Sequence, residues 1–233
     1  MNTSPSRPTV VWVADGGPFA GLDYGVRLSH RLTDAGFSVA NRDLRKGGTI
    51  DDDVMHHFVT GGETSVNDTS GWMPDGMATI RGLLSRALRG ESTLVGVCLG
   101  AQMIAQALWP GCVRRGKQIE VGLVEVSGLA RNQTTAVSAF HFEEIDPAAV
   151  VEGGGRITAW NDHSPVQAFN YGERVKGVQF HPELSPDDMR LLIPHHSMTI
   201  QAFGGNVDEA LASVDRYADE WSGRTLSDLV GTQ

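Results

Sequence analysis

Cysteine is scarce in this chain, with only Cys98 and Cys112 among 233 residues, and the two do not make the C-x-x-C pair of a zinc site. A bridge between them would be out of place in a reducing cytosol, so each needs its own explanation. Basic residues are also in deficit. Nineteen Lys and Arg face 28 Asp and Glu, a formal net charge of -9. Neutralising a phosphate backbone needs clustered cations, so nucleic acid is not an expected partner. No apolar run reaches the ~20 residues that cross a bilayer, and no membrane association is expected. The opening "MNTSPSRPT" lacks the apolar stretch of a signal peptide, so a cytoplasmic location is expected. Also missing are H-E-x-x-H, a cysteine cluster, and the G-x-x-x-x-G-K-[ST] phosphate loop. The adjacent pairs His56-His57 and His195-His196 are poor chelators, because neighbouring side chains diverge on strands and helices alike. Neither a metal nor a cofactor is expected.

The remaining composition, 40% hydrophobic and 20% charged, is that of an ordinary folded domain. The length suits one core, so we expect a single domain over 1–233, with its core at about 9–190 and a C-terminal helical extension at about 191–233. Strands are expected at Thr9 to Asp15 ("TVVWVAD"), "FSVANRD", His56 to Thr60 and Thr93 to Val97. Between them, Leu22, Val26, Ser29 and Leu32 recur at helical spacing before Gly36, and a second helix is expected from about Asp75 to Arg89. A third is expected from Gln102 to Leu108. Later strands are expected at Ile119 to Gly128, Arg156 to Asn161, Pro165 to Gly172 and Val175 to His181, and then helices, of which Asp208 to Trp221 is the clearest. This order predicts an α/β three-layer sandwich, with a mostly parallel central sheet and late antiparallel hairpins.

The segment "LVGVCLGAQMIAQAL", residues 94 to 108, runs from strand to helix through Cys98, with Gly96 and Gly100 two residues to either side. G-x-nucleophile-x-G is the pattern of a nucleophile elbow, a sharp turn that lifts one side chain out of the sheet. A helix starting just beyond the sulfur turns its N–H groups and positive dipole end toward it, which favours thiolate. A free cysteine also fills cores well, and the pattern alone leaves that reading open. In "GVQFHPEL", His181 ends an apolar strand and Glu183 follows Pro182. If that strand lies beside the one before Cys98, the imidazole reaches the thiol while Glu183 orients the ring.

"GVCLGAQ" and "GVQFHPE", in this order, resemble the class I (triad-type) glutamine amidotransferase domain, as do "VTGGETSVNDTSGW" and "SPVQAFNYGERVKGVQFHPE" over roughly residues 9 to 190. The similarity is greatest to stand-alone members related to the glutaminase part of guanosine monophosphate synthetase. It implies a flavodoxin-like fold, with Cys98 attacking a glutamine amide, His181 protonating the departing ammonia, and Glu183 holding His181. It further implies an oxyanion hole from Gly61, Gly62 and Leu99, and a substrate contact from Gln102. "SAFHFEEID" lies where relatives have an aromatic-His-Gly-Asp pattern near the substrate's α-amino and carboxylate groups. Phe140 and His141 fit that pattern, whereas Phe142 replaces a small residue and Glu143 replaces aspartate. Glu63 stands where a proline is frequent, and a solvent-exposed side chain is expected there. Cys112 is expected to be structural.

Three functions follow from this reading. The leading one is cleavage of glutamine or another γ-glutamyl amide, with the nitrogen passed to an acceptor on a separate synthetase. A γ-glutamyl hydrolase or peptidase would use the same thioester chemistry without a partner. The third is a non-catalytic regulatory or binding protein that keeps the fold.

Overall fold

A computed structural model describes residues 7–130 and 133–221. Within them β1 (Arg7–Val13), α1 (Tyr24–Asp34), β2 (Phe37–Asp43), β3 (His56–Val59), α2 (Met73–Leu88), β4 (Thr93–Val97) and α3 (Leu99–Leu108) alternate along the first half. The second half holds β5 (Val113–Ala130), β6 (Gln133–Ile145), α4 (Pro147–Glu152), β7 (Arg156–Ala159), β8 (Ala168–Tyr171) and β9 (Val175–Val178). Helices α5 (Pro186–His195), α6 (Ser197–Ala202) and α7 (Val207–Tyr217) follow.

The main sheet has the order β2-β1-β3-β4-β9-β8-β7. Its first five strands are mutually parallel, and β8 and β7 continue it antiparallel. Strand alternation divides the apolar side chains between two faces. Val10, Trp12 and Leu94 pack with α2 and α3, whereas Val11, Val95 and Val97 pack on the opposite side, where Leu28 and Leu32 of α1 are fully buried. Burying each of those leucines contributes about 1.5–3 kcal/mol. Helix α1 starts where Asp23 accepts from the Val26 N–H, and its apolar positions then fall on one face. These layers are the expected α/β sandwich.

One feature differs from expectation. The strand expected at Ile119 to Gly128 does not extend the main sheet, but pairs with β6 as a separate antiparallel ribbon. Val124, Val126 and Val137 of the ribbon join the α1 side of the core, and Ile119 and Leu123 face α5 to α7. At Gly122 (φ 117°) an added Cβ would lie 2.2 Å from Ser213 Oγ, so glycine is what lets α7 approach the ribbon. The Leu123 N–H donates to that hydroxyl at 3.0 Å. Residues 222–233 of the expected C-terminal extension lie outside the described residues. Among the described residues no helix is long and apolar enough to cross a membrane.

Candidate active site

Cys98 stands at the junction of β4 and α3 with φ 48° and ψ -109°, the single non-glycine among the described residues with positive φ. Holding such a conformation costs about 1–3 kcal/mol and requires surroundings that enforce it. Those surroundings are tight. A Cβ on Gly96 would sit 2.5 Å from the Ala101 nitrogen and the Gly100 oxygen, and one on Gly100 would sit 2.4 Å from the Val59 oxygen. The Cys98 N–H donates to the Val178 carbonyl of β9 at 2.8 Å, and the Gly100 N–H to the Thr60 carbonyl at 3.1 Å. Leu99 opens α3, so its N–H lies in the turn that has no intrahelical acceptor.

Strand β9 lies beside β4, with Val178 opposite Val97, and the chain just beyond it carries the second half of the site. The Ser138 carbonyl on β6 accepts the His181 N–H at 2.7 Å, and the Ser138 hydroxyl donates to the Leu184 carbonyl at 2.8 Å. The ribbon thereby clamps both sides of the His-Pro-Glu turn. The capping box of Ser185 and Asp188 then starts α5 at once. Within the turn, His181 Nδ1 lies 2.8 Å from Glu183 Oε1, both residues being buried. The ring and the Cys98 side chain meet beside Gly61, where an added Cβ would lie 2.6 Å from His181 Cε1 and 3.4 Å from Cys98 Cβ. Burial pulls the His181 pKa down, but the Glu183 carboxylate and the Cys98 sulfur outweigh it and raise it to about 10. The imidazolium is therefore the favoured form.

Tyr24, which the sequence reading did not single out, stacks on His181 with ring centroids 5.4 Å apart and planes at 27°. Burial above all pushes its phenol pKa up, so it remains neutral. Gly61 and Gly62 follow β3 after Thr60. A Cβ on Gly61 would lie 2.6 Å from His181 Cε1, and one on Gly62 would lie 2.9 Å from Leu99 Cδ2 and from Asp15 Cβ. Thr60 Oγ1 accepts from the Ala14 N–H and donates to the Gly61 carbonyl, each at 2.9 Å. In a trans peptide the N–H opposes the C=O, so the Gly62 N–H points away from Thr60. Gly62 also lines the cavity over Cys98.

That cavity measures about 270 Å³ and reaches Gln102, Glu143, His141 and Phe140, all expected at the site. Gln102 is buried, and its Nε2 donates to the Glu143 carbonyl at 3.3 Å and to Gln179 Oε1 at 3.4 Å. Gln179 Nε2 is 3.8 Å from Cys98 Sγ. The Glu143 carboxylate accepts from Ser65 Oγ at 2.5 Å and Asn67 Nδ2 at 3.3 Å. His141 shows its ring to the cavity, but its nitrogens are engaged by Glu120 Oε2 at 2.8 Å and the Glu143 carbonyl at 3.2 Å. Buried Glu120 is in turn held by Asn161 and Gln167. Phe142, Phe203, His196 and Thr199 complete the far wall, with Phe142 stacked on Phe203 at 4.2 Å.

Sequence reasoning thus missed Tyr24, Gln179 and the part of the wall built by the helical extension. Gln179 had a legible signal, lying two residues before His181. Glu63 is about half exposed, as expected, yet its carboxylate is 3.3 Å from His196 Nε2. Cys112 is buried on the α2–α3 side of the sheet, where burial pushes its thiol up to about 11. Among the described residues no group of three His, Cys, Asp or Glu side chains could hold a metal ion.

Residues 23–199 match the family model for class-I glutamine amidotransferases. The glutamine-hydrolyzing GMP synthase subunit of Sulfurisphaera tokodaii is 33% identical over 103 residues, 42% of this chain and 54% of that protein. Aminodeoxychorismate synthase component 2 of Klebsiella aerogenes is 31% identical over 105 residues, 42% of this chain and 56% of that one. The matches therefore span about half the length of these curated relatives. Among solved structures, a glutamine amidotransferase from Thermotoga maritima superposes with a TM-score of 0.72 at 18% identity, covering 97% of this chain and 99% of that one. One from Methylobacillus flagellatus gives 0.64 at 19% identity, covering 98% and 97%. At such identities the likeness concerns the fold.

Proposed function

Since the chain belongs to the class-I glutamine amidotransferase family, we propose that it hydrolyses the γ-glutamyl amide of glutamine through Cys98 and passes ammonia to an acceptor on a separate synthetase. The observation that carries this reading is the placement of His181. One ring edge is held by Glu183 at 2.8 Å, and the ring lies with Cys98 beside Gly61 in the wall of one cavity.

The Cys98 sulfur attacks the amide carbon, forming a C–S bond while the carbonyl oxygen takes up negative charge. The N–H groups of Gly62 and Leu99 receive that charge; losing one such donor costs about 10²–10³ in rate. The C–N bond then breaks, and imidazolium His181 gives its proton to the leaving nitrogen, which departs as ammonia. Water attacks the γ-glutamyl thioester and yields a proton to His181, releasing glutamate and regenerating the sulfur anion. Glu183 holds the ring and favours its protonated form throughout. In this reading Gln102 and Glu143 hold the amino-acid end of the substrate, Glu143 by accepting from its α-ammonium. His141 serves through its ring, since its nitrogens are engaged. The synthetase partner is inferred from the names of the relatives, both of which are parts of synthases.

The stacked Phe142–Phe203 wall also suits a γ-glutamyl amide with an apolar substituent on nitrogen, the hydrolase or peptidase reading. A non-catalytic binding role would leave the buried Cys98–His181–Glu183 arrangement without a task. Purified protein incubated with glutamine and with γ-glutamyl anilides decides among these. Glutamate release with a mass adduct on Cys98, both lost in Cys98→Ala, is the expected result. Persistent release from Cys98→Ala would remove the nucleophile assignment, and strong preference for the anilides would favour the hydrolase.

A further inference from the structure

The loop that carries the Gly62 N–H is held at both ends. On one side Thr60 fixes the Gly61 carbonyl. On the other, the Glu63 N–H donates to Asp15 Oδ2 at 3.4 Å, and the Glu63 carboxylate lies 3.3 Å from His196 Nε2, an ion-pair distance without hydrogen-bond alignment. His196 holds the Glu63 carboxyl below the ordinary carboxylate range in spite of its partial burial. His196 sits between α5 and α6 with its side chain 12% exposed. Its ring is 5.1 Å from that of Phe140 and 5.0 Å from that of His195, which packs on Phe19 at 4.6 Å. After the His-Pro-Glu turn, then, the chain doubles back through α5 and meets the glycine loop one residue beyond its proposed donor.

We infer that Glu63 and His196 are positioning residues that hold the Gly62 N–H where the oxyanion forms, so that Cys98 is competent without a bound synthetase. This rests on the cysteine mechanism proposed above. An oxyanion donor is effective only if it is already in place when charge develops. Two consecutive glycines leave the loop more backbone freedom than other residues would, so something outside it must fix its position. In an enzyme whose clamp belonged to a partner, turnover would wait on association. Here the clamp belongs to the same chain, and the partner's part is to receive ammonia.

The test uses the purified chain alone with L-glutamine and γ-glutamyl p-nitroanilide, in wild-type, Glu63→Gln, His196→Ala and doubly substituted forms. A γ-electrophilic glutamine analogue in parallel reports labelling of Cys98. Wild-type protein turns over at least one substrate unaided. Each single variant lowers kcat about tenfold and leaves KM within about twofold, because the loop acts on charge absent from the ground state. The double variant loses no more than the worse single one, since one clamp can be broken only once. Thermal midpoints of Glu63→Gln and wild type coincide, which separates a misplaced loop from a damaged fold. Multiplicative losses, unchanged rates, or a raised KM with intact kcat would overturn the inference. Labelling of wild-type Cys98 without turnover of either substrate overturns it while leaving the cysteine mechanism standing. Failure to label Cys98 at all removes both.

Discussion

Tyr24 covers one face of the His181 imidazole, and the contact is made by its ring. An aromatic face attracts a cation by about 0.5–2 kcal/mol, which adds to the preference for imidazolium set by Glu183 and Cys98. Tyr24→Phe keeps the ring and is expected to keep kcat within about twofold, whereas Tyr24→Leu costs about tenfold. Removing an interaction that favours the charged form lowers the His181 pKa. The basic limb of the kcat/KM profile therefore moves to lower pH in Tyr24→Leu and stays in place in Tyr24→Phe. Cys98, His181 and Glu183 were legible as single residues because two short motifs carry them. Tyr24 was not, because its role depends on the start of α1 reaching the end of β9, a contact between distant parts of the chain. The pairing of His196 with Glu63 was hidden for the same reason.

Elements also meet closely at the elbow, where α3 crosses the end of β3. Gly100→Ala would put a methyl group 2.4 Å from the Val59 carbonyl, a backbone atom that cannot swing aside. The expected cost is about 1–3 kcal/mol, seen as a lower unfolding midpoint together with slower labelling of Cys98. Gly16→Ala, which meets nothing within 4 Å, serves as the control and leaves the midpoint unchanged. Strands β2 and β4 have the limits read from sequence, since each is a short apolar or alternating run between turn residues. Helix α3 begins at Leu99, three residues before the expected Gln102, because the positive φ of Cys98 completes the turn within one residue. Strand β6 escaped notice for a different reason. Ala136, Val137, Ser138 and Ala139 are all buried, so the period-two contrast that marks a strand is missing.

At the scale of the whole molecule, His57 ties stability to pH. It lies at the centre of the sheet, where its Nδ1 accepts from Trp12 Nε1 at 3.3 Å. Burial first, and then the positive charges of Arg86, His56 and Arg42, lower its pKa from 6.5 to about 4. Between those values the unfolded chain binds the proton and the folded one does not, so the stabilisation is complete above 6.5 and fades as pH falls toward 4. Urea midpoints are expected to drop over that window, and His57→Leu to flatten part of the drop. Layer order and sheet direction were readable from the alternation of strand and helix signals. The packing of the last helices on the active-site cavity was not, because the apolar stripe of a helix does not specify which surface will cover it.

The wall formed by His196, Thr199 and Phe203 comes from a part of the chain synthesised long after Cys98. A ribosome releases the elbow first, then the His-Pro-Glu turn, and these closing residues last. The nascent chain therefore carries Cys98 while one side of the cavity has yet to be made. The proposed activity therefore has to wait until α5 and α6 have emerged and packed beside the glycine loop.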